Sequence, residues 1–283
     1  MICVVNSVRK NSGKAKMDLK TRSFHKFSVF CVLLTLLPCA FLSSIEVPLE
    51  FYGSGFFGKY LNSDTIRFNL DASFEIYCTT LRLGPISTYV HYRDDLDMAK
   101  QTGGVSIDPR YVHYYIVGGI DYFLSDYYIN AYFVHDCIHD IDYDVEGTPV
   151  FNRFRLRIAP KDFHYSSRLK TAKRFLWSID LGYYPHWDWH GWDINSGADY
   201  IYDVMLEAML NFYATDNFGM DIRPSFKVAK GDTMFYHQHV MRLRGYYKKL
   251  ARRIGLSLEY NLYNNDLNKT PNKLWLLSLY LEF

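Results

Sequence analysis

LWLLSLYLEF, residues 274–283, separates into two faces when it is read in steps of two. Phe283, Leu281, Leu279, Leu277 and Trp275 form an unbroken apolar face, and Glu282, Tyr280, Ser278 and Leu276 lie between them. Period two is the signature of a β-strand, whose successive side chains point to opposite sides. Chain ends are usually polar and frayed. An apolar face carried to the last residue therefore asks for an apolar solvent on one side of the sheet.

Period two recurs from Ile45 onward, with almost no helical period between. Phe68, Leu70, Ala72 and Phe74 alternate with Arg67, Asn69, Asp71, Ser73 and Glu75; Phe154, Leu156 and Ile158 alternate with Arg153, Arg155 and Arg157. The same holds around Trp177, Ile222 and Leu258. The pattern predicts about twelve strands, with ten to fourteen as bounds. They fall at 45–60, 64–80, 86–93, 110–124, 127–138, 151–160, 174–184, 201–214, 218–229, 235–247, 250–263 and 274–283. Connections after strands 3, 5, 7 and 11 are long, those after 4, 8 and 10 are short, and 161–173 is an exception.

These features resemble bacterial outer-membrane β-barrels. In that family a terminal Phe after alternating apolar residues is the mark read by the barrel assembly machinery, which implies the same role for Trp275, Leu277, Leu279, Leu281 and Phe283. The resemblance implies a closed antiparallel transmembrane barrel over 45–283, located in the bacterial outer membrane and contacting its lipids. Both termini would lie in the periplasm, with long loops outside and short turns inside. In hydrocarbon every backbone polar group needs a partner, so such a sheet has to close. A soluble two-sheet sandwich also alternates, but it does not call for a leader, a terminal Phe and an apolar face on nearly every strand together.

Composition agrees. The 283 residues include 25 Tyr, 20 Phe and 5 Trp, residues suited to the two membrane-interface girdles. Mean hydropathy is near neutral, at −0.16, as expected when lipid-facing and inward residues cancel. Lys20, Arg22 and Lys26 precede the apolar run Phe27–Leu42 and then Ser43 and Ser44, so residues 1–44 read as a signal peptide, with Met17 an alternative start. That segment holds seven Lys/Arg and one Asp; removing it leaves 25 basic and 29 acidic residues, net −4. A basic nucleic-acid binder is excluded on that balance. Cys78 and Cys137 remain, on strands that are not neighbours, and are expected to be free thiols.

Charges on the strands must face inward, because Arg or Lys on the lipid face at mid-bilayer costs about 2–4 kcal/mol. The expected lining includes Arg67, Glu75, Arg153, Arg155, Arg157, Asp180, Asp221, Arg223, Arg242, Arg244 and Glu259, with Glu50, Asp71, His91, Arg93, Asp121, Asp203, Glu207 and Lys227 beside them. This set is either a mutually neutralising network or the wall of a small porin-like pore for small solutes, the Arg153–Arg157 ladder drawing anions. The pore is the leading expectation for function.

VHDCIHDID, Val134–Asp142, is the densest chemical stretch. His135, Cys137 and His139 share one face with Ile129, Ala131 and Phe133, which makes it the lipid face; Asp136 and Asp140 lie on the other. The arrangement resembles outer-membrane lipid hydrolases, the lipid A deacylases and phospholipase A, which pair a His with a Ser on the barrel's outer surface. The alternative function is thus an outer-leaflet lipid hydrolase carried by His135, Asp136, His139 and Asp140. No Ser lies two residues from either histidine; His164 and Ser166 in FHYSS do have that spacing, but at the periplasmic end. His135, His139, Asp140 and Asp142 with His186, Asp188, His190 and Asp193 could meet around a divalent ion, though no dense ligand motif is present. A third reading is an adhesion barrel displaying Trp187, Trp189 and Trp192. No cofactor is expected.

Overall fold

The computed structural model describes residues 45–63, 68–99, 108–141, 149–171, 173–189, 192–195, 199–266 and 271–283. The expected leader, Arg67, Asp142 and His190 lie outside these residues, as do the side chains of Asp140, Trp189, Trp192 and Asp193.

Twelve strands form the wall: β1 (Glu50–Tyr60), β2 (Leu70–Leu83), β3 (Ile86–Ala99), β4 (Asp108–Phe123), β5 (Tyr127–Asp140), β6 (Arg153–Pro160), β7 (Phe175–Tyr183), β8 (Tyr200–Ala214), β9 (Phe218–Gly231), β10 (Phe235–Lys249), β11 (Arg252–Asn264) and β12 (Trp275–Glu282). Each pairs antiparallel with its sequence neighbours, and β12 pairs with β1 to close the ring. The closure extends to the last residue: Phe283 N–H donates to the Gly53 carbonyl (2.9 Å) and Gly53 N–H to that of Phe283 (2.8 Å). Three segments differ from the sequence reading: β2, expected over 64–80, runs from Leu70 to Leu83. Strand β3 runs six residues beyond Arg93, and the first strand breaks near Leu49, whose φ is +46°. Ile45–Glu46 then pairs separately with β2.

Turns at the end of the barrel expected to be periplasmic are tight: 84–85, 124–126, 215–217 and 250–251. Gly84 takes φ +56° there, a conformation glycine adopts without Cβ strain. The fifth connection, 161–174, instead folds a 3-10 turn (Lys161–Phe163) and a single helical turn, α1 (Tyr165–Arg168). It caps the inside of the barrel, packing Tyr165 flat on Tyr77 (centroids 4.6 Å apart) and placing Arg168 Nη2 3.2 Å from Glu75 Oε1.

Burial is inverted relative to a soluble protein. Leu256, Leu279, Ile116, Val90 and Phe175 are exposed on the outer wall, whereas Asp180, Asp221, Asp203 and Asp121 are buried inside. Only a surrounding apolar solvent makes the outer pattern favourable. Cys78 and Cys137 are both free, as expected.

The inward arginines are paired with carboxylates, whereas Lys227 forms no ion pair among the described residues and Asp71 is held by the Tyr60 hydroxyl (2.9 Å). Arg153 Nη1 lies 2.5 Å from Asp136 Oδ2, Arg155 Nη2 2.8 Å from Asp203 Oδ1, and Arg157 Nε 2.7 Å from Asp180 Oδ2. Arg244 grips both oxygens of Asp221 (3.0 and 2.9 Å) and reaches Glu282 (2.9 Å), and Arg223 shares both carboxylates. Arg242 binds Glu259 through Nε at 2.8 Å. The arginine ladder expected to draw anions is therefore matched, rung by rung, by carboxylates from β5, β7 and β8. A cavity of about 500 Å³ remains between these walls.

Candidate active site on the outer wall

Strand β5 rises from the periplasmic turn at Asp126. At about 3.3 Å per residue and a tilt near 40°, His135 stands about 20 Å above its start, toward the outer edge of an apolar band about 25 Å tall. Alternation points His135, Cys137 and His139 outward. Inward-facing Val134 pairs with Arg153 on β6. One step along the ladder, His135 therefore faces Asn152, and its Nδ1 lies 2.8 Å from Asn152 Oδ1.

The hydrogen bonds assign the protons. Asn152 Nδ2 donates to the Ile194 carbonyl (2.6 Å) in the loop between β7 and β8, which fixes which end of the amide is oxygen. Oδ1 is then the acceptor, so His135 carries its proton on Nδ1 and keeps a lone pair on Nε2. Cys137 lies two residues further on the same face, about 6.6 Å along the strand; its thiol is buried, and among the described residues it makes no hydrogen bond to His135. Tyr114 on β4 and Val150 stand opposite the thiol on either side. A thiol and an imidazole with a free lone pair thus lie on one strand face, with the amide that orients the imidazole directly across from it, residue types that nucleophilic catalysis uses.

The other residues expected here fall elsewhere. Asp136 faces the lumen, bonded to Arg153 and His113, with the backbone wall between it and His135. His139 packs edge-on against Tyr114 (5.4 Å). Among the described residues no group of three His, Cys, Asp or Glu is placed to hold a metal ion, and His186 Nε2 is engaged by the Tyr200 carbonyl (2.6 Å). Sequence reasoning passed over Cys137 because it looked for a hydroxyl beside His135, and missed Asn152 because the partnership needs the register of the β5–β6 hairpin.

His164 forms a second arrangement inside the periplasmic cap. Its Nδ1 lies 2.8 Å from Ser166 Oγ and its Nε2 3.3 Å from Asp121 Oδ2, which also accepts from Tyr77 (2.6 Å). His164 is the N-cap of α1, accepting from the Ser166 backbone N–H, within a cage of Tyr77, Tyr128, Phe123 and Tyr165. These bonds satisfy a buried imidazole and hold the cap in place.

Comparison with solved structures finds the outer-membrane phospholipase A of Escherichia coli, with a TM-score of 0.51, 10% identity, 82% of this chain covered and 92% of that one. The fold is that of a bacterial outer-membrane β-barrel. The Salmonella typhi outer-membrane phospholipase dimer with bound calcium matches at 0.52, again with 10% identity and 83% and 93% coverage. An active-site variant of the Escherichia coli enzyme, with an asparagine changed to alanine, matches at 0.52, 10% identity and 86% and 95% coverage. No protein-family model and no curated protein sequence matches the chain.

Proposed function

We propose that this barrel is an outer-leaflet lipid acyl hydrolase in which Cys137 is the nucleophile, His135 the general base and Asn152 the group that orients His135. The observation that carries the reading is the His135–Asn152 contact on the lipid-facing wall, beside a thiol on the same strand face. In the first step the thiol proton passes to His135 Nε2 and Sγ attacks the ester carbonyl. The Asn152 oxygen stabilises the imidazolium that forms. The C–O bond then breaks, the leaving alkoxide takes the proton from His135, and an acyl thioester remains on Cys137. A water deprotonated by the same histidine releases the fatty acid and regenerates the thiol. The outer-membrane phospholipases with the same fold support this substrate class, and an active-site asparagine in one of them parallels Asn152.

The reading ranks ahead of the pore because the arginine ladder is matched by carboxylates and Phe163, His164, Tyr165 and Arg168 of the 161–174 segment stand in the lumen. The test is release of fatty acid from ester phospholipids by the full chain refolded in mixed micelles. Cys137→Ala should abolish release, and His135→Ala should lower it 10²–10⁴-fold. Wild-type protein should carry an acyl adduct on Cys137 that neutral hydroxylamine removes. A folded barrel that releases no fatty acid would overturn the proposal. Recognition of Trp275–Phe283 by the assembly machinery is part of the same reading, tested by the membrane yield of Phe283→Ala.

A further inference from the structure

Asp94 stands on the wrong side of its strand for a charge. On β3 the residues His91, Arg93, Asp95 and Asp97 line the lumen, so Tyr92 and Asp94 face outward. Asp94 Oδ1 accepts from the Phe74 backbone N–H (3.1 Å), and the Tyr92 hydroxyl lies 3.4 Å from Oδ2. Among the described residues no Lys, Arg or His forms an ion pair with it. An unmatched carboxylate on a lipid-facing wall is costly unless a ligand supplies the opposite charge.

Register places this group beside the proposed site. Asp94 pairs with Tyr114, and Tyr114 pairs with Cys137, so carboxylate, phenol ring and thiol lie in one row across three strands. At 4.7–4.9 Å between strands the row spans about 10 Å. Tyr92 and Tyr114 stand with ring centroids 6.5 Å apart at an interplanar angle of 37°. A carboxylate beside two phenol rings is the chemistry that holds an organic ammonium. A divalent metal would want several oxygens, and this patch offers one carboxylate.

We propose that Asp94, Tyr92 and Tyr114 form a headgroup subsite for the ammonium of a zwitterionic phospholipid, whose ester then lies over Cys137. The ligand enters sideways from the bilayer, because the wall faces lipid. Lipids with an anionic headgroup are disfavoured by the unmatched carboxylate. The role given to Cys137 rests on the hydrolase reading, whereas the binding preference does not.

The experiment uses the full chain carrying Cys137→Ala, so that bound lipid is not consumed. The barrel is refolded with equal amounts of phosphatidylethanolamine and phosphatidylglycerol of matched chains, and retained lipid is counted by native mass spectrometry. The expected preference for phosphatidylethanolamine is about fivefold, the size of one partly desolvated cation–π contact. Asp94→Asn should bring the ratio to one, and Asp94→Glu should preserve it and show that the barrel tolerates change there. Equal retention by the parent, or an undiminished preference in Asp94→Asn, would overturn the subsite. Wild-type turnover is measured in parallel. Absent turnover with an Asp94-dependent preference sinks only the hydrolase, and turnover without a preference sinks only the subsite.

Discussion

Replacing Asn152 with alanine isolates the orienting role in the proposed mechanism. In the resting site the bond from His135 Nδ1 to Asn152 Oδ1, at 2.8 Å, joins two neutral groups and contributes about 0.5–1.5 kcal/mol. When His135 takes the thiol proton, the same bond becomes charge-assisted and is worth about 1.5–3 kcal/mol. The difference, about 1–1.5 kcal/mol, exists only on the way to the transition state. Asn152→Ala should therefore lower kcat by about tenfold and leave KM nearly unchanged. Asn152→Asp keeps an acceptor and adds charge, so it should hold the imidazolium more strongly. Its kcat above neutral pH should equal or exceed that of the wild type. The assay is fatty-acid release at saturating substrate from pH 5 to pH 9. An Asn152→Ala variant with wild-type kcat, or an Asp variant as slow as the Ala variant, would refute the orienting role.

Four further outcomes are expected. Arg244→Ala leaves the buried Asp221 and Glu282 without their main partner and should cost about 3–5 kcal/mol, read by urea unfolding in micelles. Leu256→Arg puts a charge on the lipid face and should cost about 2–4 kcal/mol in the same titration, and a neutral result would contradict the membrane-facing assignment. Replacing 161–174 with a two-residue turn should give discrete conductance steps in planar bilayers where the intact barrel gives none; steps from the intact barrel would show that the cap does not close it. Lys173, 2.6 Å from Asp162 on the periplasmic surface, holds that carboxyl below its ordinary range through a hydrogen bond. The small stability this pair adds should be complete above about pH 5, where the unfolded carboxyl is ionised, and fade as pH falls through the lowered value, checked by carboxyl NMR titration against Lys173→Ala.

Twelve strands were legible because each carries its own record: a side chain that must meet lipid at one position must meet the lumen at the next. Loop parity followed from the same count. The cap was not legible, because residues 161–174 have no period and what turns them inward is Glu75, more than eighty residues away in sequence. The arginine ladder looked like an attractant for the same reason; Asp136, Asp203 and Asp180 come from other strands and neutralise it only once the wall closes. At the outer wall the His135 face was correct and its partners were incomplete. Asp136 stood next in sequence but on the opposite side, whereas Asn152 stood seventeen residues away and directly across. The same-face rule alone would have brought in Cys137 had a thiol been admitted beside the serine.

The cap has a consequence for the ring as a whole. It grows from the middle of the chain, between β6 and β7, yet it grips the strands that flank the closing seam. Tyr165 and Arg168 hold Glu75 on β2, and Arg253 on β11 donates to the Arg168 carbonyl (3.0 Å) while standing beside Glu282 on β12. The segment is a bridge between the two halves of the sheet, anchored on both sides of the β12–β1 joint. Its side chains are held by Glu75 and Tyr77 on β2 and its backbone by Arg253 on β11, so the docked segment is a clasp that ties strands from the two ends of the chain together across the seam.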